Sequence, residues 1–270
     1  FRSYPNDPAS ASVEVRLART LERGDRLAGA GAWQAVWRRQ GNTAAGREAG
    51  ARALGLCESL RSGEAVKLAN EIAGEMVDKL PATDLTGEVG MRAFNLLASA
   101  GQYAEANSLA NKMLAKGKPA DKVLLRELHR RMAYNYQQVR QYANAAVSLK
   151  KALAIEGDGD LQSQLVLLLH QAQAPPAELE AACTQFAQKY PDHQDRYERL
   201  AYVAHAYEAA KILPGGQSGP AKALELYKSI LNHAPQALEA ARRVTHLAGD
   251  KPEQVAQSEK LLLESIRRCP

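Results

Sequence analysis

The sequence predicts an all-α protein without a sheet, and three observations support that prediction. Alanine and leucine are its two most frequent residues, and both favour helices. Apolar residues recur at helical spacing, as in Val13, Leu17 and Leu21. A sheet of hairpins requires stretches of alternating apolar and polar residues bounded by turn signals, and the sequence contains no such stretch.

Breaks in this helical pattern divide the chain into about fourteen helices, or about seven antiparallel pairs. From the N-terminus, the breaks lie at or near Gly24, Gly41, Ser62, Pro81 to Asp84, Gly101, Lys118, Arg140, Gly157 to Gly159, Pro175, Pro191, Pro214 to Pro220, Pro235 and Gly249 to Pro252. The first twelve residues contain Pro5 and Pro8 and have no helical period. We therefore expect residues 1–12 to form an irregular lead-in.

The breaks recur at intervals of about 34 residues, which is typical of helical repeat arrays. The phrase Gly101-Gln-Tyr-Ala-Glu-Ala106 returns as Arg140-Gln-Tyr-Ala-Asn-Ala145. Each copy follows one apolar helix and begins another. A third copy, Ala221 to Ile230, is followed by Pro235.

These phrases resemble the tetratricopeptide repeat (TPR) family, whose two-helix unit carries W-x2-L-G-x2-Y, then A-x3-F and a closing proline. One unit matches as His129-x2-Met132-Ala133-x2-Tyr136 with Ala145-x3-Leu149. Another matches as Tyr197-x2-Leu200-Ala201-x2-Ala204, then Ala223-x3-Tyr227 and Pro235. The resemblance is best over 87–157 and 192–236 and weaker over 159–191 and 237–268. Over 13–80 the helix-pair rhythm supports it, with one matching ending at Ala69 to Met76 and Pro81.

The resemblance implies a right-handed superhelical solenoid of antiparallel helix pairs. On that basis we expect residues 13–80 to form N-terminal helix pairs, as degenerate repeats or as a different helical hairpin array. Residues 81–270 are expected to form the TPR array, in one continuous solenoid. The segment Leu213 to Pro220 departs from the family, which has a tight turn between the helices of a unit. We expect a flexible insertion there, either surface slack or a binding loop.

No pattern in the sequence predicts catalysis, a cofactor or a metal site. The six histidines lack zinc-motif spacing, and no glycine-rich phosphate loop is present. The residues Gly157 to Asp160 favour a helix stop with an N-cap aspartate over a calcium loop. Cys57 and Cys183 are predicted to be buried structural thiols, and Trp33 with Trp37 to pack in the core. We therefore predict a non-enzymatic protein.

In the TPR family the first helices of successive pairs line the concave surface, where partners bind. Carried over to this chain, that surface predicts a partner-binding stripe of polar and aromatic residues. Its members are Asn95, Glu127, Arg130, Tyr134, Gln137, Gln138, Glu198, Tyr202 and His205. The family's clamp for a peptide carboxylate is incomplete here, because the unit after Asn95 and Arg130 offers Gln164 and Leu168 instead.

The sequence therefore predicts a protein-interaction scaffold in a larger bacterial assembly, whose partner is another protein or peptide, including an enzyme that it positions. The alternative is a module that guides an exported polysaccharide in the periplasm. The net charge of +5 is too small for a nucleic-acid binder and favours an acidic or polysaccharide ligand. No apolar run is long enough to span a membrane. We expect a periplasmic or cell-envelope location, with the cytoplasm as the alternative.

Overall fold

The computed structural model describes residues 8–60, 62–81, 88–117, 121–213, 215–234, 237–247 and 252–268. Fourteen helices occupy these ranges: α1 (Pro8–Gly24), α2 (Arg26–Gln40), α3 (Ala44–Leu60), α4 (Gly63–Lys79), α5 (Glu88–Ser99), α6 (Tyr103–Lys116), α7 (Lys122–Gln138), α8 (Tyr142–Ile155), α9 (Gly159–Gln171), α10 (Pro176–Lys189), α11 (Arg196–Ala209), α12 (Gly219–His233), α13 (Leu238–Leu247) and α14 (Pro252–Arg268). Apart from an isolated antiparallel bridge between Ile212 and Ser218, these ranges contain no strand pairing. The all-α prediction is confirmed.

Polar side chains at the predicted breaks begin several helices. Asp25, Ser62, Asp121, Asp158 and Ser218 each accept hydrogen bonds from backbone N–H groups of the helix that follows. Such caps satisfy donors that have no partner inside the helix. At Asp158 this confirms the predicted glycine stop with an N-cap aspartate.

The irregular lead-in predicted for residues 1–12 is wrong for residues 8–12, because α1 begins at Pro8. Proline is favoured in the first helical turn, where its missing N–H has no intrahelical partner to lose. In the sequence we interpret Pro8 as a helix breaker, whereas in the structure it begins a helix. Residues 1–7 lie outside the described residues.

A repeated backbone turn follows α5, α7, α9 and α11. Each of these helices is followed within two residues by one residue in the left-handed conformation: Gly101 (φ 76°), Arg140 (φ 58°), Gln173 (φ 53°) and Lys211 (φ 49°). After the first two, Gln102 and Gln141 adopt nearly identical dihedrals, φ −83° and ψ 60° against φ −89° and ψ 63°. The predicted repeat is therefore visible as a recurring turn as well as a recurring phrase.

The chain divides into two compact units, Phe1–Arg140 and Gln141–Pro270, called here the N-terminal and C-terminal units. Within each unit, successive helices pack on one another. The N-terminal unit buries Trp37, Leu54, Ile72, Phe94 and Leu128 at 1% exposure or less. The division expected at residue 80 from motif quality stays a prediction.

The C-terminal unit has a core of its own. Leu149, Leu168, Leu179, Phe186 and Ile230 are all less than 2% exposed there. These residues come from α8, α9, α10 and α12, and Val203 of α11 is fully buried as well. Each helix of this unit therefore contributes an apolar face to its neighbours, as in helical repeat arrays.

The two tryptophans pack in the core of the N-terminal unit, as predicted. Trp33 is 4% exposed and Trp37 is fully buried. The Trp33 indole N–H donates to Glu22 Oε2 at 3.0 Å, and the Arg52 guanidinium lies over the Trp33 ring. These contacts join α1, α2 and α3.

The loop between α11 and α12, where the sequence predicts a flexible insertion, contains backbone hydrogen bonds. Leu213 N–H donates to Gln217 O at 2.9 Å, and Gly219 N–H donates to Lys211 O at 2.9 Å. Gly219 also lies so close to α11 that an added Cβ would be 2.3 Å from Tyr207 O. Glycine is required there because any side chain would force the loop off α11.

Candidate functional site

A cavity of about 540 Å³ opens between α11 and α13 in the C-terminal unit. Helix α12 forms its floor through Tyr227 and Ile230, and α9 contributes His170. The walls are mostly apolar, with a few polar groups, which is the usual composition of a binding pocket. The remaining lining residues are Tyr197, Glu198, Ala201, Tyr202, His205, Ala237, Leu238, Glu239, Ala240 and Arg243. We call this cavity the α11–α13 groove.

Three aromatic side chains form one end of the α11–α13 groove. The His170 ring stacks on Tyr202 with centroids 4.5 Å apart, and His205 meets the edge of His170 at 6.0 Å. Burial, and then the neighbouring His205, lower the pKa of His170 below its ordinary value. His170 is therefore neutral at neutral pH and behaves as an aromatic wall.

A buried arginine holds the polar residues of the α11 wall. Arg199 is 8% exposed and donates to Ser163 Oγ at 2.9 Å and to Asp195 Oδ2 at 3.1 Å. It also donates through Nη1 to Glu198 Oε1 at 2.9 Å. The same oxygen accepts the Tyr202 hydroxyl at 2.5 Å. Glu198 is thus fixed at one oxygen, while its side chain is 57% exposed.

The α13 wall carries a second ion-pair network. Arg243 donates through Nη1 to Glu208 Oε1 and through Nε to Glu239 Oε1, each at 3.0 Å. The Tyr227 hydroxyl donates to the other oxygen of Glu208 at 3.3 Å. Arg242 donates to the other oxygen of Glu239 at 3.1 Å. These bonds satisfy the carboxylates of this wall.

Three of the nine predicted site residues, Glu198, Tyr202 and His205, line the α11–α13 groove. Sequence reasoning missed His170, Tyr227 and Arg243, which also line it. The histidine spacing excludes His170 as a zinc ligand but does not show that it stacks on Tyr202. Tyr227 and Arg243 line the groove because of how α12 and α13 pack, and the spacing of residues along one helix does not predict that packing.

Four further predicted residues lie together on α5 and α7 of the N-terminal unit. Arg131 donates to Asn95 Oδ1 at 2.6 Å and to Glu127 at 2.6 Å, and Arg130 donates to Glu127 at 2.7 Å. These bonds, chiefly the one from Arg130, lower the pKa of Glu127 to about 2. Tyr134 is 52% exposed.

The last two predicted residues, Gln137 and Gln138, are partly exposed and exposed, respectively, at the end of α7. The opposite face of α7 packs as expected, with Met132 and Ala133 at 2% and 1% exposure. Arg130, Tyr134 and Gln138 are exposed as expected, whereas Tyr136, expected to pack, and Glu127 and Gln137, expected to be exposed, are all partly exposed.

A second cavity of about 250 Å³ lies in the C-terminal unit between α10, α11 and α12. Cys183 lines it at 3% exposure. Burial raises the pKa of both the Cys57 and the Cys183 thiols to about 11. Both are thus protonated and unreactive at neutral pH, which agrees with a structural role. Cys269 lies outside the described residues.

The residues that the structure describes contain no group of three or more His, Cys, Asp or Glu side chains placed to hold a metal ion. Among the helices assigned above, none combines the length and the apolar character that a membrane crossing requires.

Comparison with known proteins finds solved structures that align along most of this chain, but no relative by sequence. No protein-family model and no curated protein matches the chain. Similar solved structures include the C-terminal part of a TPR repeat-containing protein from Cytophaga hutchinsonii, at 13% identity, over 92% of this chain and 93% of that chain, with a TM-score of 0.44. Another is the TPR domain of P58(IPK), at 10% identity, over 96% and 99% of the two chains, with a TM-score of 0.23. Both are TPR repeat proteins, the family that the motifs of this sequence resemble.

Proposed function

We propose that this protein is a non-catalytic scaffold that binds a partner protein or peptide in the α11–α13 groove. The observation that supports this most is the groove itself, an open, mostly apolar cavity with fixed polar groups along its walls. Its tyrosines and its arginine are residue types in which binding energy concentrates at protein interfaces. A partner peptide would bury side chains there without disturbing the core beneath.

The test is selection of peptides from a random library displayed on phage, with the full chain as bait. Leu238 lines the groove and is 38% exposed, so Leu238→Lys places a charge on an apolar wall at little cost to folding. Val147 is 51% exposed on α8 outside the groove, and Val147→Lys is the matched control.

We expect selected peptides that lose at least tenfold in affinity with Leu238→Lys and keep it with Val147→Lys. Circular dichroism should show equal helicity in both variants. Failure of the full chain to select any peptide, or peptides that bind Leu238→Lys as well as wild type, would contradict the proposal.

The second candidate function is guidance of an exported polysaccharide within a bacterial envelope assembly. It is favoured by the face of α7 that exposes Tyr134, whose ring meets Tyr103 edge to face at 6.3 Å. Arg131 and Asn95 lie beside it as a hydrogen-bonded pair. An exposed ring beside amide and guanidinium groups is a surface that both stacks and hydrogen-bonds.

If this function is correct, a column that carries the immobilised full chain retains an acidic exopolysaccharide. A column that carries Tyr134→Ala does not retain it, whereas Leu238→Lys retains it as wild type does. This function also places the protein in the periplasmic fraction of its source cells, whereas a peptide scaffold is compatible with the cytoplasm as well. Peptide selection through the groove with no polysaccharide retention eliminates it.

A further inference from the structure

We propose that the α11–α13 groove recognises a peptide segment in which a bulky apolar side chain is closely followed or preceded by a lysine or arginine, and that this cation pairs with Glu198. The inference rests on the function proposed above and specifies the chemistry of the partner. It combines two features of the groove, an apolar floor and one incompletely bonded carboxylate.

The floor selects the apolar side chain. It is formed by Ile230 and Tyr227 of α12, which are 1% and 2% exposed, and is flanked by Ala201 and Ala240. No charged group other than Glu198, Glu239 and Arg243 lines the cavity among the described residues. A large apolar side chain that a partner places on such a floor is removed from water, which favours binding.

The α11 wall supplies the carboxylate. Glu198 Oε1 is held by the Tyr202 hydroxyl and by Arg199, while its Oε2 accepts no hydrogen bond from any described residue. Arg199 is itself fixed by Ser163 and Asp195, so the carboxylate is positioned before a partner arrives. A preorganised group loses little conformational entropy on binding.

The other carboxylates near the groove are not available in this way. Glu208 accepts from Arg243 and Tyr227, one at each oxygen. Glu239 accepts from Arg243 and Arg242, again one at each oxygen. Among the carboxylates of the described groove, Glu198 is thus the one with an open acceptor.

The surroundings of Glu198 suit a cation with an alkyl stem. The Tyr202 ring, on the same helix face, is stacked against neutral His170. Because the Arg199 guanidinium also lies over the Tyr202 ring, a lysine or arginine stem would run along the edges of these rings while its charged head reaches Oε2. An acidic residue at the same place would meet the Glu198 carboxylate and be repelled.

The experiment uses a panel of capped twelve-residue peptides and the full chain. Each peptide carries one Leu, Phe or Trp anchor in an Ala/Ser background, with Lys, Gln or Glu placed one to four residues before or after it. Affinities are measured by fluorescence anisotropy with wild type, Glu198→Gln and Glu198→Lys. Glu225→Gln is the matched control, because Glu225 is an exposed glutamate of α12 outside the groove.

We expect the best lysine peptide to bind wild type and Glu225→Gln about tenfold more tightly than its glutamine counterpart, as one charge-assisted hydrogen bond provides. Glu198→Gln should abolish that ratio, and Glu198→Lys should reverse the preference toward the glutamate peptide. A variant that unfolds is recognised by its helicity, and the charge reversal then gives an independent readout.

Two results overturn the inference. Anchor peptides that bind the groove equally well with Lys, Gln or Glu would show that Glu198 does not select a cation, while the scaffold function stands. If the library and the panel both fail to bind, and a polysaccharide is retained instead, the scaffold function fails together with the inference.

Discussion

At the scale of single residues, the neighbours of a carboxylate decide what it can do. Glu127 and Glu198 were both predicted as partner contacts because each lies on the exposed face of its helix. In the structure, Glu127 is shared by Arg130 and Arg131, and its pKa falls to about 2. Glu198 keeps one oxygen open. The spacing of residues along a helix predicts which side chains are exposed. It does not predict whether an exposed carboxylate is already hydrogen-bonded to neighbouring side chains.

The burial of His170 predicts a dependence of stability on pH. Its pKa is lowered in the folded protein, so below pH of about 6.5 the unfolded chain binds more protons than the folded one. The free energy of unfolding should therefore fall as the pH falls from about 6.5 through the lower folded pKa. Urea denaturation of wild type and His170→Gln between pH 7.5 and pH 5 checks this.

In His170→Gln the loss on acidification should be smaller than in wild type. The exposed His246 of α13 offers a matched control, and His246→Gln should follow wild type. Identical pH dependence in wild type and His170→Gln would contradict the assignment.

At the scale of elements, the helices could be predicted from the sequence because glycine, proline and capping residues mark where they begin and end. Breaks at Gly41, Gly101 and Pro191 each separate two helices in the structure. The recurring left-handed turn was harder to predict. Of the four residues that adopt it, only Gly101 is of a type that favours a positive φ. Arg140, Gln173 and Lys211 are held there by the helices on either side.

That turn predicts a stabilising substitution. Gln173 is exposed and has φ 53°, a conformation that costs a residue with a Cβ about 1–2 kcal/mol and costs glycine little. Gln173→Gly should therefore raise the free energy of unfolding by up to about 1 kcal/mol, after the greater freedom of glycine in the unfolded chain is subtracted.

The control is Gln171→Gly, two residues earlier, at the last position of α9. There the backbone is helical, and glycine should lower stability by up to about 1 kcal/mol. Thermal unfolding followed by circular dichroism compares the two variants, and effects of the same sign would count against the turn as described.

At the scale of the whole molecule, global properties and local sites diverge. The chain carries a net charge of +5, which favoured an acidic ligand. The groove instead presents Glu198 with one open oxygen, whereas its lining arginine, Arg243, and the neighbouring Arg199 and Arg242 are paired with carboxylates of the same unit. Composition predicted the fold class, since helix formation sums over many residues. It could not predict the charge of a groove in which only Glu198, Glu239 and Arg243 are charged, because that charge depends on which side chains pair there.

Repeat architecture predicts that damage stays local. In the N-terminal unit, buried Asn135 of α7 donates to Asn107 of α6 at 3.2 Å, and Asn107 donates to Met132 O. Asn135→Ala leaves the Asn107 oxygen buried without a donor and should cost about 1–3 kcal/mol. Asn111→Ala removes only an exposed bond to Tyr136 and should cost less than about 1 kcal/mol.

Hydrogen exchange read by mass spectrometry checks the locality. In Asn135→Ala, amides of α6 and α7 should exchange faster than in wild type, whereas those of α11 to α13 should be unchanged. Equal acceleration in every helix would mean that the chain opens as one cooperative body.

The α11–α13 groove draws its walls from α9, α11, α12 and α13, which belong to more than one helix pair. Duplication or exchange of a single helix pair would therefore move only part of the groove. An experiment that grafts the proposed binding surface onto another array therefore has to transfer residues 159–247 together.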